Sequence, residues 1–214
     1  MRRVEVSDEL QNYMDGLVPP RDRVLARLED EAHREDIPIV DTHEGQLLTL
    51  LVRLHGGKRI LELGTATGYS GICMLRGTDG GVITTFELDH ARAERARANF
   101  KEAGFGDSAT VIEENAVQGL ATLEDKFDIC FIDLLNSFRS DDITRQVFDM
   151  CMERLEPRGL LMADNALRQG EILKPKTQQD RNVLIYNELV AKDARLEGVV
   201  IPIRDGLSVA RVKG

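Results

Sequence analysis

The first 55 or so residues carry apolar positions at helical spacing. Residues 22–34 place charged side chains around an apolar stripe of Val24, Leu25 and Leu28, and this pattern predicts a helix. Pro38 interrupts the pattern, because the residue before a proline avoids helical backbone angles. A second helix is predicted over residues 44–54, where the Gly56–Gly57 pair follows and ends it.

From residue 59 onward, short apolar runs alternate with amphipathic segments. The runs predict strands over residues 59–63, 82–87, 109–113, 127–133, 160–164, 199–203 and 207–212, the last two around the turn signal Arg204-Asp205-Gly206. Helices are predicted over residues 70–76, 92–103, 142–155 and 179–192, and a mobile irregular loop over 167–177. This alternation favours an α/β fold, in which helices cover both faces of a mostly parallel sheet that ends in an antiparallel hairpin.

Composition and charge narrow the class of protein. The 214 residues are 42% hydrophobic and 30% charged, which predicts one globular domain with residues 1–55 as a helical lid and 56–214 as the core. A net charge of −9 disfavours nucleic acid as a partner. The sequence shows neither an apolar run of membrane-spanning length nor a signal peptide, and its three cysteines lack metal-binding spacing. We therefore expect a cytoplasmic protein with reduced thiols and no membrane contact.

Glycines and acidic residues follow the predicted strands, at the edge where parallel sheets bind ligands. Residues 62–70 read ELGTATGYS, and the G-x-x-x-G spacing is neither the dinucleotide fingerprint nor a P-loop. Glu62 would repel a pyrophosphate but suits a ligand with an ammonium or sulfonium group. Glu87 suits a ribose diol, and Asn115-Ala116 suit the edge of an adenine ring. Together these residues favour S-adenosylmethionine over NAD or ATP.

Two further carboxylates end predicted strands. Asp133 ends the fourth strand, Asp164 ends the fifth, and Asn165 follows. Because the carboxyl ends of neighbouring parallel strands face one crevice, we expect these side chains to lie close together. Carboxylate and amide oxygens suit Mg²⁺ or Ca²⁺. The alternative is that both aspartates only cap the loops that follow them.

As a set, these motifs resemble the cation-dependent O-methyltransferases of the catechol and caffeoyl-CoA type. The resemblance is carried by residues 61–70, 86–87, 127–133 and 164–165, and it extends from about residue 37 to 212. Residues 37–46 and 201–207 look most like a bacterial subgroup that includes methyltransferases of 5-hydroxyuridine at the tRNA wobble position. The family implies a class I, Rossmann-like methyltransferase sheet of seven strands, and relatives are often homodimers through their N-terminal helices.

The resemblance also implies a set of site residues. The S-adenosylmethionine site would be lined by Val40, Glu62, Gly64, Tyr69, Ser70, Glu87, Ala116 and Asp133, to which the same loops add Thr65, Gly68, Leu88 and Asn115. Asp133, Asp164 and Asn165 would hold the divalent cation, which would chelate the acceptor hydroxyl. Asn136 stands where close relatives carry a lysine interpreted as the general base, and an amide cannot take up a proton.

Asp133 and Asn136 are therefore the candidate catalytic positions. The acceptor hydroxyl would be deprotonated either through metal coordination alone or with the help of another group such as His43. Leu134, Leu135 and Val199 make a catechol acceptor doubtful. The leading hypothesis is methyl transfer to a hydroxyl of a small phenolic or vicinal-oxygen acceptor. One alternative is methylation of tRNA hydroxyuridine, for which the basic side chains of residues 92–101 and 168–176 would supply the surface. The other is a non-catalytic S-adenosylmethionine-binding protein.

Overall fold

The computed structural model describes residues 6–214, so residues 1–5, which enter the signal-peptide argument, lie outside it. Its helices are α1 Asp8–Asp15, α2 Arg23–Glu35, α3 Thr42–His55, α4 Tyr69–Gly77, α5 His90–Glu102, α6 Ala116–Thr122, α7 Asp141–Arg154 and α8 Gln178–Lys192. Its strands are β1 Arg59–Leu63, β2 Val82–Glu87, β3 Ala109–Glu113, β4 Phe127–Ile132, β5 Leu155–Ala163, β6 Leu196–Ile201 and β7 Leu207–Val212. No helix within residues 6–214 is long and apolar enough to cross a membrane.

The strands form one seven-stranded sheet in the order β3-β2-β1-β4-β5-β7-β6. Strands β1 to β5 run parallel, whereas β7 is antiparallel to both β5 and β6. This confirms the predicted α/β fold with a mostly parallel sheet of seven strands and a C-terminal antiparallel hairpin. Leu63 at the end of β1 is level with Phe86 of β2 and Ile132 of β4, so the loops after these three strands begin side by side.

Helices cover both faces of the sheet, as predicted. One apolar cluster joins the sheet to α2, α3, α4 and α5, and its buried members include Leu28, Leu48 and Phe100. The other joins the sheet to α6, α7 and α8 and includes Phe148 and Tyr186, whose rings pack edge to face. Because α2 and α3 contribute to the first cluster, the N-terminal segment shares its core with the sheet.

The observed elements differ from the predicted ones where tertiary packing decides. Helix α6 was not predicted, because it is seven residues long and contains Gly119, whose added Cβ would lie 2.2 Å from the Phe86 ring. Strand β5 begins at Leu155, directly after α7, because Leu155 pairs with Phe127; a register shift, within which Arg158 takes a left-handed backbone, then separates this pair from the pairing of Leu160 with Ile129. Strand β6 spans Leu196–Ile201 instead of residues 199–203. Residues Arg168–Leu173, predicted to be irregular, form short 3-10 turns around Gly170.

Candidate functional site

The loop after β1 turns tightly against the loop after β4. Gly64 has a φ of 102°, and a Cβ on it would lie 2.9 Å from the carbonyl oxygen of Asp133. Gly68 has a φ of 89° and begins α4. Both positions require a left-handed backbone, which glycine adopts without strain. The glycine pair therefore creates a close approach between the loops that follow two neighbouring strands.

Glu62 lies beneath this loop and is fully buried. Its two carboxylate oxygens accept hydrogen bonds from Ser70 Oγ at 2.6 Å and from Thr85 Oγ1 at 2.7 Å. Burial raises the pKa of Glu62 to about 7. Because its carboxylate has no exposed surface, this arrangement leaves no direct contact between Glu62 and a positively charged ligand, contrary to our expectation. Through these two hydrogen bonds, Glu62 of β1 instead links the start of α4 to β2.

Glu87 ends β2 on the open side of the same loop. Its Oε2 accepts a hydrogen bond from the backbone N–H of Ala66, and its Oε1 accepts one from the backbone N–H of Asp89, both at 2.9 Å. Each carboxylate oxygen has further acceptor capacity beyond one hydrogen bond. Glu87 is thus oriented by two backbone groups and can accept further hydrogen bonds from a diol.

A cavity of about 510 Å³ opens beside Glu87 at the ends of β2, β3 and β4. Of the residues predicted to bind the cofactor, it brings together Gly64, Glu87, Leu88, Asn115 and Ala116. Its other lining residues, which are not among the predicted cofactor residues, are Phe86, Glu114, Val117, Gln118, Leu134, Ser137, Phe138, Arg139 and Ile143. Most of these follow strands whose ends were identified, but their side chains carry no sequence signal of their own.

The remaining predicted cofactor residues do not line this cavity. Val40 lies in the apolar core, and Thr65 is buried against Thr85. Tyr69 is buried as well, and its hydroxyl donates a hydrogen bond to Glu29 of α2 at 2.6 Å. Ser70 is occupied by Glu62. In this arrangement the side chains of these four residues are therefore buried in the protein and do not face the cavity.

Charged side chains meet at the ends of β4 and β5. Asp164 is buried at the end of β5, and its Oδ2 accepts a hydrogen bond from Arg204 Nη1 at 3.0 Å. Glu44 of α3 lies close by, with Oε2 at 3.8 Å from the same nitrogen. Burial raises the pKa of Asp164 while Arg204 opposes the rise, and burial beside Asp164 raises the pKa of Glu44 to about 10. Burial and Asp164 likewise raise the pKa of Asp133. We call Glu44, Asp133, Asp164 and Arg204 the charged cluster.

Two members of the charged cluster, Glu44 and Arg204, were not predicted as site residues. From the sequence, Glu44 is predicted only to start a helix, and Arg204 only to belong to a turn and to the family motif. Glu44 is fully buried, and its oxygens have no hydrogen-bond partner among residues 6–214 unless it shares a proton with Asp164. An acidic residue in the first turn of a helix is ordinary, so no local signal marks this one.

The donor types at this site suit a hard cation, but two of the three predicted ligands, Asp164 and Asn165, are already engaged by other groups. Asp164 is engaged by Arg204 and by the backbone N–H of Asn165. The side-chain oxygen of Asn165 accepts a hydrogen bond from Asn136 Nδ2 at 2.8 Å. No group of three or more His, Cys, Asp or Glu side chains in the described part of the chain is placed to hold a metal ion. The residues therefore do not fit the predicted cation in this arrangement.

Neither Asn136, a candidate catalytic position, nor His43, the predicted alternative proton acceptor, has its side chain free at the charged cluster. Asn136 orients Asn165 through the hydrogen bond just described. His43 in the first turn of α3 pairs through Nε2 with Asp15 of α1. Its ring is thus engaged by the N-terminal helices and not by a member of the cluster.

Known proteins share this sequence pattern and architecture. The model of an O-methyltransferase family matches residues 20–213. A Mycobacterium avium protein that is provisionally named as an O-methyltransferase is 33% identical over 195 residues, which are 88% of this chain and 85% of the relative.

Two solved structures are also similar. The O-methyltransferase from Bacillus cereus in complex with SAH superposes with a TM-score of 0.82 at 25% identity, covering 96% of this chain and 97% of the other. TomG, an O-methyltransferase from Streptomyces achromogenes solved with SAM, superposes with a TM-score of 0.84 at 26% identity, covering 96% of each chain. The family match and the mycobacterial identity show that this chain belongs to the O-methyltransferase family.

Proposed function

We propose that the chain transfers a methyl group from S-adenosylmethionine to a hydroxyl of a small acceptor. The observation that carries the proposal is the geometry of Glu87, which two backbone N–H groups orient at the edge of a 510 Å³ cavity. A carboxylate held in this way suits the two hydroxyls of a ribose. The Bacillus cereus and Streptomyces achromogenes relatives, solved with SAH and SAM, support the same ligand.

The cavity walls suit the rest of the nucleoside. Leu88 is 68% exposed although it is a large apolar residue, and it lies directly after the ribose-binding Glu87. Ala116 begins α6 across the cavity, where Asn115 caps the helix by accepting a hydrogen bond from the backbone N–H of Val117. An adenine ring between Leu88 and Ala116 would bury apolar surface on both faces. We assign these two residues to the adenine and Glu87 to the ribose.

The reaction requires that the acceptor hydroxyl be oriented toward the methyl group and that a base take up the hydroxyl proton. A lone pair of the acceptor oxygen forms the new bond to the methyl carbon, and the carbon–sulfur bond breaks with its electron pair going to sulfur. The sulfonium charge disappears, and the hydroxyl proton must leave. Asp133 is a half-buried carboxylate whose backbone oxygen packs against Gly64, and we assign it as the acceptor of that proton.

Titration calorimetry with SAH tests the cofactor site. We expect Glu87→Ala to raise the dissociation constant about 10- to 100-fold, because hydrogen bonds to a charged group are worth about 1.5–3 kcal/mol. Glu124→Ala, which removes an exposed glutamate before β4 at the opposite edge of the sheet, is the matched control and should leave binding unchanged. Absence of SAH binding to the wild type, or equal affinities of the wild type and Glu87→Ala, would refute the proposal.

No observation favours tRNA over a small acceptor. On α5, Arg95 pairs with Glu31 and Glu35, and Arg97 pairs with Glu94, so two of its basic side chains are neutralised locally. The tRNA alternative stays a prediction that tRNA binding at low salt would test. Turnover of any acceptor would likewise separate an enzyme from a non-catalytic binding protein.

The homodimer also stays a prediction. Leu50 and Leu54 are both exposed and lie four residues apart on α3, a spacing that places them on one face of the helix. An exposed apolar stripe of this kind supports association through the N-terminal helices. Light scattering of the purified protein would measure the oligomeric state.

A further inference from the structure

We propose that the guanidinium of Arg204 fills the place of the divalent cation, so that this chain works without a bound metal ion. The inference deepens the proposed function, because it concerns the charge beside the reacting hydroxyl. Two observations carry it: the hairpin turn places Arg204 beside the two buried carboxylates, and two of the three predicted metal ligands, Asp164 and Asn165, are engaged by other groups.

The turn between β6 and β7 is docked onto the loop after β5. The backbone N–H of Ala166 donates to the carbonyl of Gly206, and that of Leu167 donates to the carbonyl of Asp205, both at 2.8 Å. Gly206 is needed for this approach, because a Cβ there would lie 2.5 Å from the Leu167 side chain. The docking fixes the turn beside Asp164, only two residues before Ala166.

Arg204 takes an unusual backbone conformation to reach this position. Its φ is 47°, in the left-handed region that glycine adopts freely and that other residues with a side chain rarely occupy. The guanidinium that results lies 3.0 Å from Asp164 Oδ2 and 3.8 Å from Glu44 Oε2. The turn thus holds Arg204 in a strained backbone conformation, with its charge close to the carboxylates of both Asp164 and Glu44.

Arg204 also covers the carboxylates from the solvent side. The side chains of Asp164 and Glu44 are 2% and 0% exposed, whereas that of Arg204 is 35% exposed. A divalent cation bound to Asp164 would lie within a few ångströms of this fixed positive charge, and the two would repel each other. Asn165, the amide ligand of the predicted set, is held by Asn136 as well. Both features oppose metal entry.

The guanidinium of Arg204 can supply the acceptor with a fixed positive charge, as a divalent cation would. It has five N–H donors, and within residues 6–214 its side chain makes one hydrogen bond, to Asp164. Its partly exposed donors can bind an acceptor in which the reacting hydroxyl adjoins a second oxygen, since the planar fork matches two neighbouring oxygens. Because arginine stays charged at all relevant pH values, it stabilises the oxygen as the proton leaves.

Binding of Mn²⁺, followed by electron paramagnetic resonance, tests the inference without relying on activity. We expect no stoichiometric Mn²⁺ binding to the wild type and about one ion per chain in Arg204→Gly, which keeps the left-handed turn and removes the guanidinium. Arg158→Gly is the matched control, because Arg158 also has a positive φ, of 68°, but lies at the start of β5, away from the charged cluster. Arg204→Asn is a second variant, since asparagine also tolerates this backbone.

Activity and cofactor binding complete the test. Methyl transfer by the wild type should withstand EDTA, whereas Arg204→Gly should lose about 100-fold in kcat and regain activity with Mg²⁺. Equal Mn²⁺ affinity of the wild type and Arg204→Gly would overturn the inference, and so would failure of every Arg204 variant to bind the ion. SAH titration distinguishes failure of the two proposals. If the wild type does not bind SAH, the proposed cofactor site is refuted, whereas the Mn²⁺ measurement still tests the role of Arg204 independently.

Discussion

We predict that the buried carboxyl group of Glu62 makes the free energy of unfolding depend on pH. It is a buried carboxylate whose two oxygens accept hydrogen bonds only from hydroxyl groups of Ser70 and Thr85. Burial raises its pKa from 4.5 to about 7 in the folded chain. A raised folded pKa means that the stabilisation is fully present below pH 4.5 and is lost as the pH rises through about 7.

The magnitude follows from the two pKa values. A difference between 4.5 and about 7, at about 1.4 kcal/mol per pH unit, corresponds to about 3 kcal/mol of unfolding free energy. Glu62→Gln stays neutral at every pH and keeps one acceptor oxygen for the hydroxyl groups. We therefore expect the variant to gain about 3 kcal/mol on the wild type between pH 4 and pH 8, or roughly 6–12 °C in Tm for a chain of this length.

Thermal unfolding of both proteins across this pH range measures the effect. Taking the difference between wild type and variant cancels the titrating groups that do not interact with Glu62, Glu44 among them. Glu124→Gln, an exposed glutamate, serves as the matched control and should run parallel to the wild type. Parallel profiles for Glu62→Gln and the wild type would refute the reasoning, because Glu62 would then carry the same charge in the folded and unfolded chain.

Two further substitutions separate the loop's architecture from ligand contact. Gly64→Ala should lower stability by at least about 2 kcal/mol and weaken SAH binding, because it strains a φ of 102° and presses a Cβ against the Asp133 carbonyl. Gly104→Ala is the matched control, since its φ is 85° but no atom lies within 4 Å of the added Cβ; equal losses in the two variants would contradict the role of the contact. Tyr69→Phe should cost about 2 kcal/mol in a denaturant titration, because it removes a hydrogen bond to Glu29, while SAH affinity stays unchanged. The exposed Tyr13→Phe is its control, and weaker SAH binding by Tyr69→Phe would place the hydroxyl at the cofactor.

Much of the fold follows from local patterns in the sequence. Apolar runs bounded by glycine and proline mark the strands, and Gly64, Gly68, Glu87 and Asp133 are identified by their place after a strand. Strand ends are predictable in this way because parallel sheets align all their carboxyl ends at one edge. Helix α6 escaped prediction because its stability comes from packing against Phe86 and not from the propensity of its seven residues.

What the sequence determined by itself is therefore the alternation of elements, the fold family it predicts and the edge of the sheet at which ligand binding is expected. Only the tertiary structure decided which side chains face that edge. Glu62 and Tyr69 follow the predicted pattern but point into the protein, whereas Glu44 and Arg204, 160 residues apart, meet at Asp164. The physical reason is that burial and charge pairing depend on contacts between distant segments, which no local spacing encodes.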